Sequence, residues 1–368
     1  MQIGITAIGT AVPQFKQSQS RAAETVADIL DLEGIERRLL KRLYKATQIE
    51  YRYSVIGDYL KQRGEFEFFP NDANAAFPST AARMNLYKAN ALNLALSAIK
   101  NCLASIENID PRDITHLITV SCTGMYAPGL DIEIIQQLHL STTTKRFAVN
   151  FMGCYAAFNA MELAYNICKA DSQAKVLVVC VELCTLHFQQ SRSMDNMIAN
   201  AIFADGAAAV LIEATDATRN SLNFLKFHCD LLPQTEQEMA WHISDFGFDI
   251  VLSSYIPNLI ESGIAKFVEK LLGGQSLELL DIDFYAIHPG GVKILKACEQ
   301  ALNITEHDNR YAYEVLHQFG NMSSVTILFV LKALWQGLDS QDHDKNIMSF
   351  AFGPGLSIQS MLIRPHYV

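Results

Sequence analysis

Three short runs carry side chains whose types and order could perform acyl chemistry: Met152-Gly153-Cys154-Tyr155-Ala156-Ala157, Ile287-His288-Pro289-Gly290-Gly291 and Gly320-Asn321-Met322-Ser323-Ser324. Cysteine supplies a nucleophile, histidine moves protons near neutral pH, and an asparagine carboxamide orients or donates. Cys154 and Asn321 each follow a glycine where an apolar, strand-like run gives way to a helical pattern. Each is therefore expected to project from a tight turn above a sheet. At a helix N-terminus the unpaired amides, joined by a nearby imidazolium, would lower the thiol pKa and let a thiolate persist at neutral pH. N–H donors from His288 and Asn321 converging on one point would stabilise an enolate or oxyanion. Each residue also has a plain structural reading: Cys154 as a buried apolar residue, His288 as a turn histidine, Asn321 as a helix cap.

Elements able to hold these residues alternate along the chain. Ile3 to Ala11 reads as an opening strand, and Pro78-Ser79-Thr80 starts a long helix with one apolar face at Leu92, Ala95, Leu96, Ile99, Cys102 and Leu103. Asp113 to Val120 reads as a strand ending at Ser121-Cys122-Thr123-Gly124, followed by strands at Phe147 to Met152, Lys175 to Glu182 and Ala207 to Glu213. The second half repeats this scheme weakly. A helix around Ile264 to Leu272 leads to a strand at Asp281 to Ile287, Asn321 precedes a helix at Val325 to Leu334, and Ile347 to Phe352 is the last buried strand before Gly353-Pro354-Gly355. Strand and helix alternation argues α/β layers. A duplicated unit would divide the chain into residues 1–215, bearing the cysteine, and 216–368, bearing His288 and Asn321, with the two glycine-preceded turns meeting across a pseudo-twofold axis. Ala214 to Pro257 breaks the alternation and is read as a bridging region that shapes the pocket.

Length and composition bound the function. The 368 residues are too many for one ordinary core, and half are hydrophobic with only 18% charged. No run is long and apolar enough to span a bilayer, and the start lacks a basic region followed by an apolar one, so a cytoplasmic location is expected. A net charge of -10 disfavours nucleic acid or an anionic membrane as partner. Locally the balance reverses: Arg37, Arg38, Lys41, Arg42 and Lys45 share a segment of helical spacing that could be a solvated face or could meet a compact polyanion. The eight cysteines lack the paired spacings of a zinc site or a disulfide scaffold, and Cys180 and Cys184 read as packing residues.

The three runs, together with Phe352-Gly353-Pro354-Gly355-Leu356, Ala7-Ile8-Gly9-Thr10-Ala11 and Phe203-Ala204-Asp205-Gly206-Ala207-Ala208-Ala209, resemble the chalcone synthase superfamily, the type III polyketide synthases, over nearly the whole chain. The resemblance implies a thiolase-like five-layered αβαβα fold and a homodimer. It further implies that Cys154 bears the acyl chain, while His288 and Asn321 hold the thioester carbonyl and stabilise the enolate left by decarboxylation of malonyl-coenzyme A. An acyl-coenzyme A starter and malonyl-coenzyme A are the implied substrates, with no metal or redox cofactor. Phe203 matches a gatekeeper between a coenzyme A tunnel and the cavity, and Ile250 stands where plant members usually carry the partner phenylalanine. Arg42 and Lys45 match the phosphate-binding basic helix.

Thr123 matches a small polar lining residue. Cys184 and His187 replace plant threonines, Trp241 replaces a glycine, and Ala127 replaces a methionine that reaches into the partner subunit. A tryptophan in place of glycine predicts a short or redirected cavity, few extensions and a small product of the pyrone, resorcinol or phloroglucinol type. An initiating ketoacyl-carrier-protein synthase would usually show His-Gln-Ala-Asn where this chain has His-Pro-Gly-Gly. A papain-like protease would show Cys-Gly-Ser-Cys-Trp. A non-catalytic acyl-thioester binding protein is the alternative from another class, and the intact Cys, His and Asn set argues against it.

Overall fold

The computed structural model of the protein describes residues 2–72, 74–106, 109–216, 218–253 and 255–368. The first half comprises β1 (Gln2–Ala11), β2 (Phe15–Ser18), α1 (Gln19–Ile29), α2 (Gly34–Ala46), β3 (Tyr51–Ser54), α3 (Thr80–Leu103), β4 (His116–Ser121), α4 (Leu130–Leu138), β5 (Lys145–Asn150), α5 (Ala156–Ala170), β6 (Lys175–Leu183), α6 (Met194–Ile202) and β7 (Asp205–Thr215). The second comprises β8 (Ser221–Leu231), β9 (Met239–Ser244), β10 (Gly247–Leu252), α7 (Ile256–Leu272), β11 (Phe284–Ile287), α8 (Val292–Leu302), α9 (Arg310–Phe319), α10 (Thr326–Gly337), β12 (Ile347–Gly353) and β13 (Ser357–His366). The start signal before α3 acts as read: the Ser79 hydroxyl accepts from the Ala82 amide at 3.3 Å.

Nine strands run in the order β11-β12-β13-β8-β1-β7-β6-β4-β5. Internal duplication shows in the pairing. β4 is parallel to β6, then β7 and β1 follow antiparallel; β11 is parallel to β12, then β13 and β8 follow antiparallel. The halves join through Gly4 with Asn223 and Ile5 with Leu222. Along β6, Val176, Val178 and Cys180 enter one core while Leu177, Val179 and Val181 enter another. Burial on both faces places this strand between two helical layers. α5 packs on β6, β7 and β13, and α10 on β1, β7 and β11, so these two helices fill the middle layer. α3 covers β1, β7 and β6 from one outside, and α7 covers β8 and β13 from the other. The layer order is αβαβα. Among the described residues no helix is long and apolar enough to cross a membrane.

Two local readings are corrected. The segment read as a bridge contains β8, a full sheet strand. Its pairing with β13 shifts register at Leu362 and Ile363, leaving Leu225 unmatched, so the buried side changes phase partway along and the period of two disappears from the sequence. The run before Gly320 is helix α9 rather than a strand, with Ala312, Val315 and Leu316 buried at helical spacing.

Candidate active site

Cys154 sits in the turn between β5 and α5, where Phe151 (φ 61°) and Gly153 (φ 87°) adopt left-handed backbone. A Cβ on Gly153 would lie 2.3 Å from Cδ of Pro354, and one on Gly353 would lie 2.5 Å from Cδ1 of Tyr155. The cysteine run and the Gly353-Pro354-Gly355 turn therefore interlock, which explains why both need glycine. The Ala156 amide closes the turn onto the Gly153 carbonyl at 3.0 Å, and Cys154 stands just before the first turn of α5. Six cysteines are buried and Cys229 is exposed; Cys154 alone falls between.

Asn321 is anchored in the other half of the molecule. Its amide donates to the Ile202 carbonyl at 2.9 Å and its carbonyl accepts from the Ala204 amide at 2.8 Å, clasping the chain on either side of Phe203. Oδ1 accepts from the Ser323 amide at 2.8 Å, which is the capping role, while Nδ2 donates to the Gly290 carbonyl at 3.3 Å in the turn after His288. The Asn321 and Ser323 side chains also face the Cys154 sulfur. Asn321 thus links the His288 turn to the thiol. His288 directly follows β11, its amide donating to the Phe350 carbonyl at 2.9 Å. Its ring is only 2% exposed, and neither Nδ1 nor Nε2 has a partner among the described residues. Buried polar atoms of this kind are costly unless something occupies the space they face.

Burial governs the electrostatics. It pushes the Cys154 thiol up to about 12, aided by the Glu182 carboxylate and opposed by Ser323 and Asn321, and it pushes the His288 imidazole down to about 3. Burial therefore favours the neutral thiol and the neutral imidazole. That works against the thiolate and imidazolium expected from the sequence, since the helix terminus and the Ser323 hydroxyl must offset the desolvation.

Glu182, at the end of β6, is fully buried. Its Oε2 accepts from the Cys122 amide at 2.9 Å and the Thr123 hydroxyl at 2.8 Å, and its Oε1 from the Ser324 hydroxyl at 2.5 Å. Burial raises its pKa to about 7 against these donors.

A cavity of ≈ 40 Å³ adjoins Cys154. Thr123, Cys184, Phe203, Trp241 and Ile250 all line it, beside Cys122, Met239 and Ser323. A second space of ≈ 20 Å³ shares the wall formed by Cys184, Phe203, Trp241 and Ile250, and this is where His187 lies. His187 is committed to structure. Its Nε2 donates to the Thr123 carbonyl at 2.7 Å, its Nδ1 accepts from the Phe248 amide at 2.9 Å, and its ring stacks on Phe248 at 4.1 Å. Burial holds it neutral by lowering its pKa to about 3. Trp241 pairs across the β9–β10 hairpin with Ile250, and its Nε1 donates to the Cys122 carbonyl at 2.8 Å. Those bonds press the hairpin onto the site. Both spaces are far below the ~300 Å³ of a ligand pocket.

Arg42 and Lys45 lie exposed on α2 and line neither space. Within their cluster Arg37 pairs with Glu24 and Asp28, and Lys41 with Glu24. Among the described residues no group of His, Cys, Asp or Glu is placed to hold a metal ion. Sequence reasoning missed Glu182, Ser323, Cys122 and Met239 as parts of the site. For Glu182 a signal existed, since it is the one charge in the otherwise apolar run Val176 to Leu183.

The family model for the N-terminal domain of chalcone and stilbene synthases matches residues 2–216, and the model for their C-terminal domain matches residues 225–366. The chain is 33% identical over 97% of its length to the alpha-pyrone synthesis polyketide synthase-like Pks18 of Mycobacterium tuberculosis, covering 90% of that protein. The crystal structure of PKS-I from the brown alga Ectocarpus siliculosus superposes with a TM-score of 0.91 at 28% identity, over 99% of this chain and 98% of that one. The C-terminal type III polyketide synthase domain of Steely1, a type I/III hybrid from Dictyostelium, superposes at 0.89 and 28% identity over the whole of both chains. Read with the site geometry, these matches lead to one conclusion: the chain belongs to the chalcone and stilbene synthase family and is a type III polyketide synthase.

Proposed function

We propose that Cys154 carries the acyl chain, with His288 and Asn321 as its catalytic partners. The observation that carries this reading is the Asn321 carboxamide, which faces the sulfur on one side and binds the turn of an otherwise unpartnered, buried imidazole on the other. In loading, His288 takes the thiol proton as sulfur attacks the thioester carbonyl of an acyl-coenzyme A starter, then returns it to the departing coenzyme A thiolate. In extension, malonyl-coenzyme A loses carbon dioxide, and the electron pair of the broken bond becomes an enolate. Asn321 Nδ2 and a His288 N–H stabilise that enolate. Its carbon attacks the Cys154 thioester and releases the sulfur.

Several finer features belong to the same reading. The small cavity and Trp241 support few extensions and a compact pyrone, resorcinol or phloroglucinol product. Phe203 and Ile250, which share the wall of the cavity, act as its gate. Arg42 and Lys45 would meet the coenzyme A phosphates. The cysteine half is residues 1–215 and the His and Asn half is residues 216–368. A homodimer is supported by β5, an open sheet edge with Phe147 40% exposed. A cytoplasmic setting fits eight cysteines without a disulfide.

His288→Ala and Asn321→Ala are each expected to lower release of carbon dioxide from malonyl-coenzyme A about 100-fold or more, measured with labelled malonyl groups. Near-normal release in both variants would remove these residues from the reaction.

A further inference from the structure

The solvent face of α2 combines cations with bare apolar surface. Ile35, Arg38, Leu39, Arg42 and Lys45 recur at three- and four-residue spacing and so form one stripe. Ile35 is 67% and Leu39 55% exposed, and Met194, which opens the adjoining α6, is 64% exposed. A hydrogen bond from the Tyr44 hydroxyl to the Asn200 carbonyl at 3.1 Å joins the two helices, and an ion pair between Glu36 and Arg192, just before α6, at 3.3 Å adds to it. Arg38, Arg42 and Lys45 have no acidic partner among the described residues, on a chain of net charge -10. α6 has 9 residues and is about 14 Å long. Its outer end is Met194, and Phe203, just past its inner end, lines the Cys154 cavity.

We propose that this face docks an acidic acyl carrier protein whose phosphopantetheine thioester loads Cys154. The inference rests on the reading of Cys154 as acyl acceptor. Coenzyme A and a carrier protein present the acyl group on the same arm, and they differ in what holds its far end. A nucleotide polyanion is held mainly by cations, and its one adenine ring does not account for three exposed apolar side chains, Ile35, Leu39 and Met194, spread over α2 and α6. A protein with carboxylates around an apolar contact covers both, an apolar centre with a charged rim. Transfer is a thioester exchange: the Cys154 sulfur–carbon bond forms, the arm's sulfur–carbon bond breaks, and the Cys154 proton passes to the arm's thiol.

The test compares loading of Cys154, read by intact-protein mass, from one acyl group mounted either on coenzyme A or on a purified bacterial acyl carrier protein. The acyl group is the one that coenzyme A delivers best. Leu39→Glu and Met194→Glu are expected to lower kcat/KM for the carrier-borne donor about tenfold each, with the coenzyme A donor changed less than about twofold. Arg42→Glu is expected to impair both donors. Loading from coenzyme A with none from the carrier, or equal effects of Leu39→Glu and Met194→Glu on the two donors, would overturn the docking proposal alone. Failure of both donors with the wild type would overturn the acyl-acceptor reading and the docking with it.

Discussion

Trp241 lines the cavity beside Cys154 and its N–H is held by the Cys122 carbonyl, and on the proposed reading it limits the space in which a chain can grow. Trp241→Gly removes both the volume and the tether, so longer products or a wider range of accepted starters are expected by mass spectrometry. An unchanged product set at good activity would take Trp241 out of the wall. Glu182 has a different consequence. Its folded pKa of about 7 lies above the ordinary 4.5, so the folded state holds the proton more tightly than the unfolded one. Its contribution to stability is then complete below about pH 4.5 and disappears as pH rises through 7, a change of about 3 kcal/mol. Glu182→Gln is expected to flatten this dependence, so that the variant gains in Tm relative to the wild type between pH 5 and 8. Parallel Tm curves would show that the Cys122, Thr123 and Ser324 donors hold the carboxylate ionised throughout.

Among elements, the turn before α5 and the turn between β12 and β13 depend on one another. Gly153→Ala must place a Cβ into Pro354 at a φ of 87°, and a loss of about 2–4 kcal/mol in chemical denaturation is expected. Adding Pro354→Ala removes the Cδ that is struck, so part of the loss should return; strict additivity of the two would deny the interlock. This contact is invisible in either run alone, although both runs were legible as motifs because each is punctuated by glycine. The β9–β10 hairpin shows the reverse case. Trp241 and Ile250 could be placed on the cavity wall from position, but the bonds that hold the hairpin there join residues far apart in the chain and follow no local pattern.

At the scale of the whole molecule, strands buried on both faces, such as β6 and β7, stand out in sequence as continuous apolar runs, and the helices as periodic ones. The alternation of strands and helices was therefore readable, whereas the αβαβα order came only from the resemblance that the motifs carry. β8 was not, because the mismatch at Leu225 reverses which side is buried. The pull of burial on the thiol and the imidazole was also beyond reach: it depends on how the assembled layers surround Cys154 and His288, and no neighbouring residue in the chain reports that. Assembly likewise brings Ser323 to the cavity beside the thiol and Glu182 to the Cys122 and Thr123 wall, from separate halves.

The most direct test of acyl transfer at Cys154 is intact-protein mass after incubation with a panel of acyl-coenzyme A starters and no malonyl donor. At least one starter should add its acyl mass to the wild type, with the label mapped to the peptide containing Cys154, and Cys154→Ala should add none. Acylation that persists in Cys154→Ala, or product formation from malonyl-coenzyme A that is undiminished in Cys154→Ala, would contradict it.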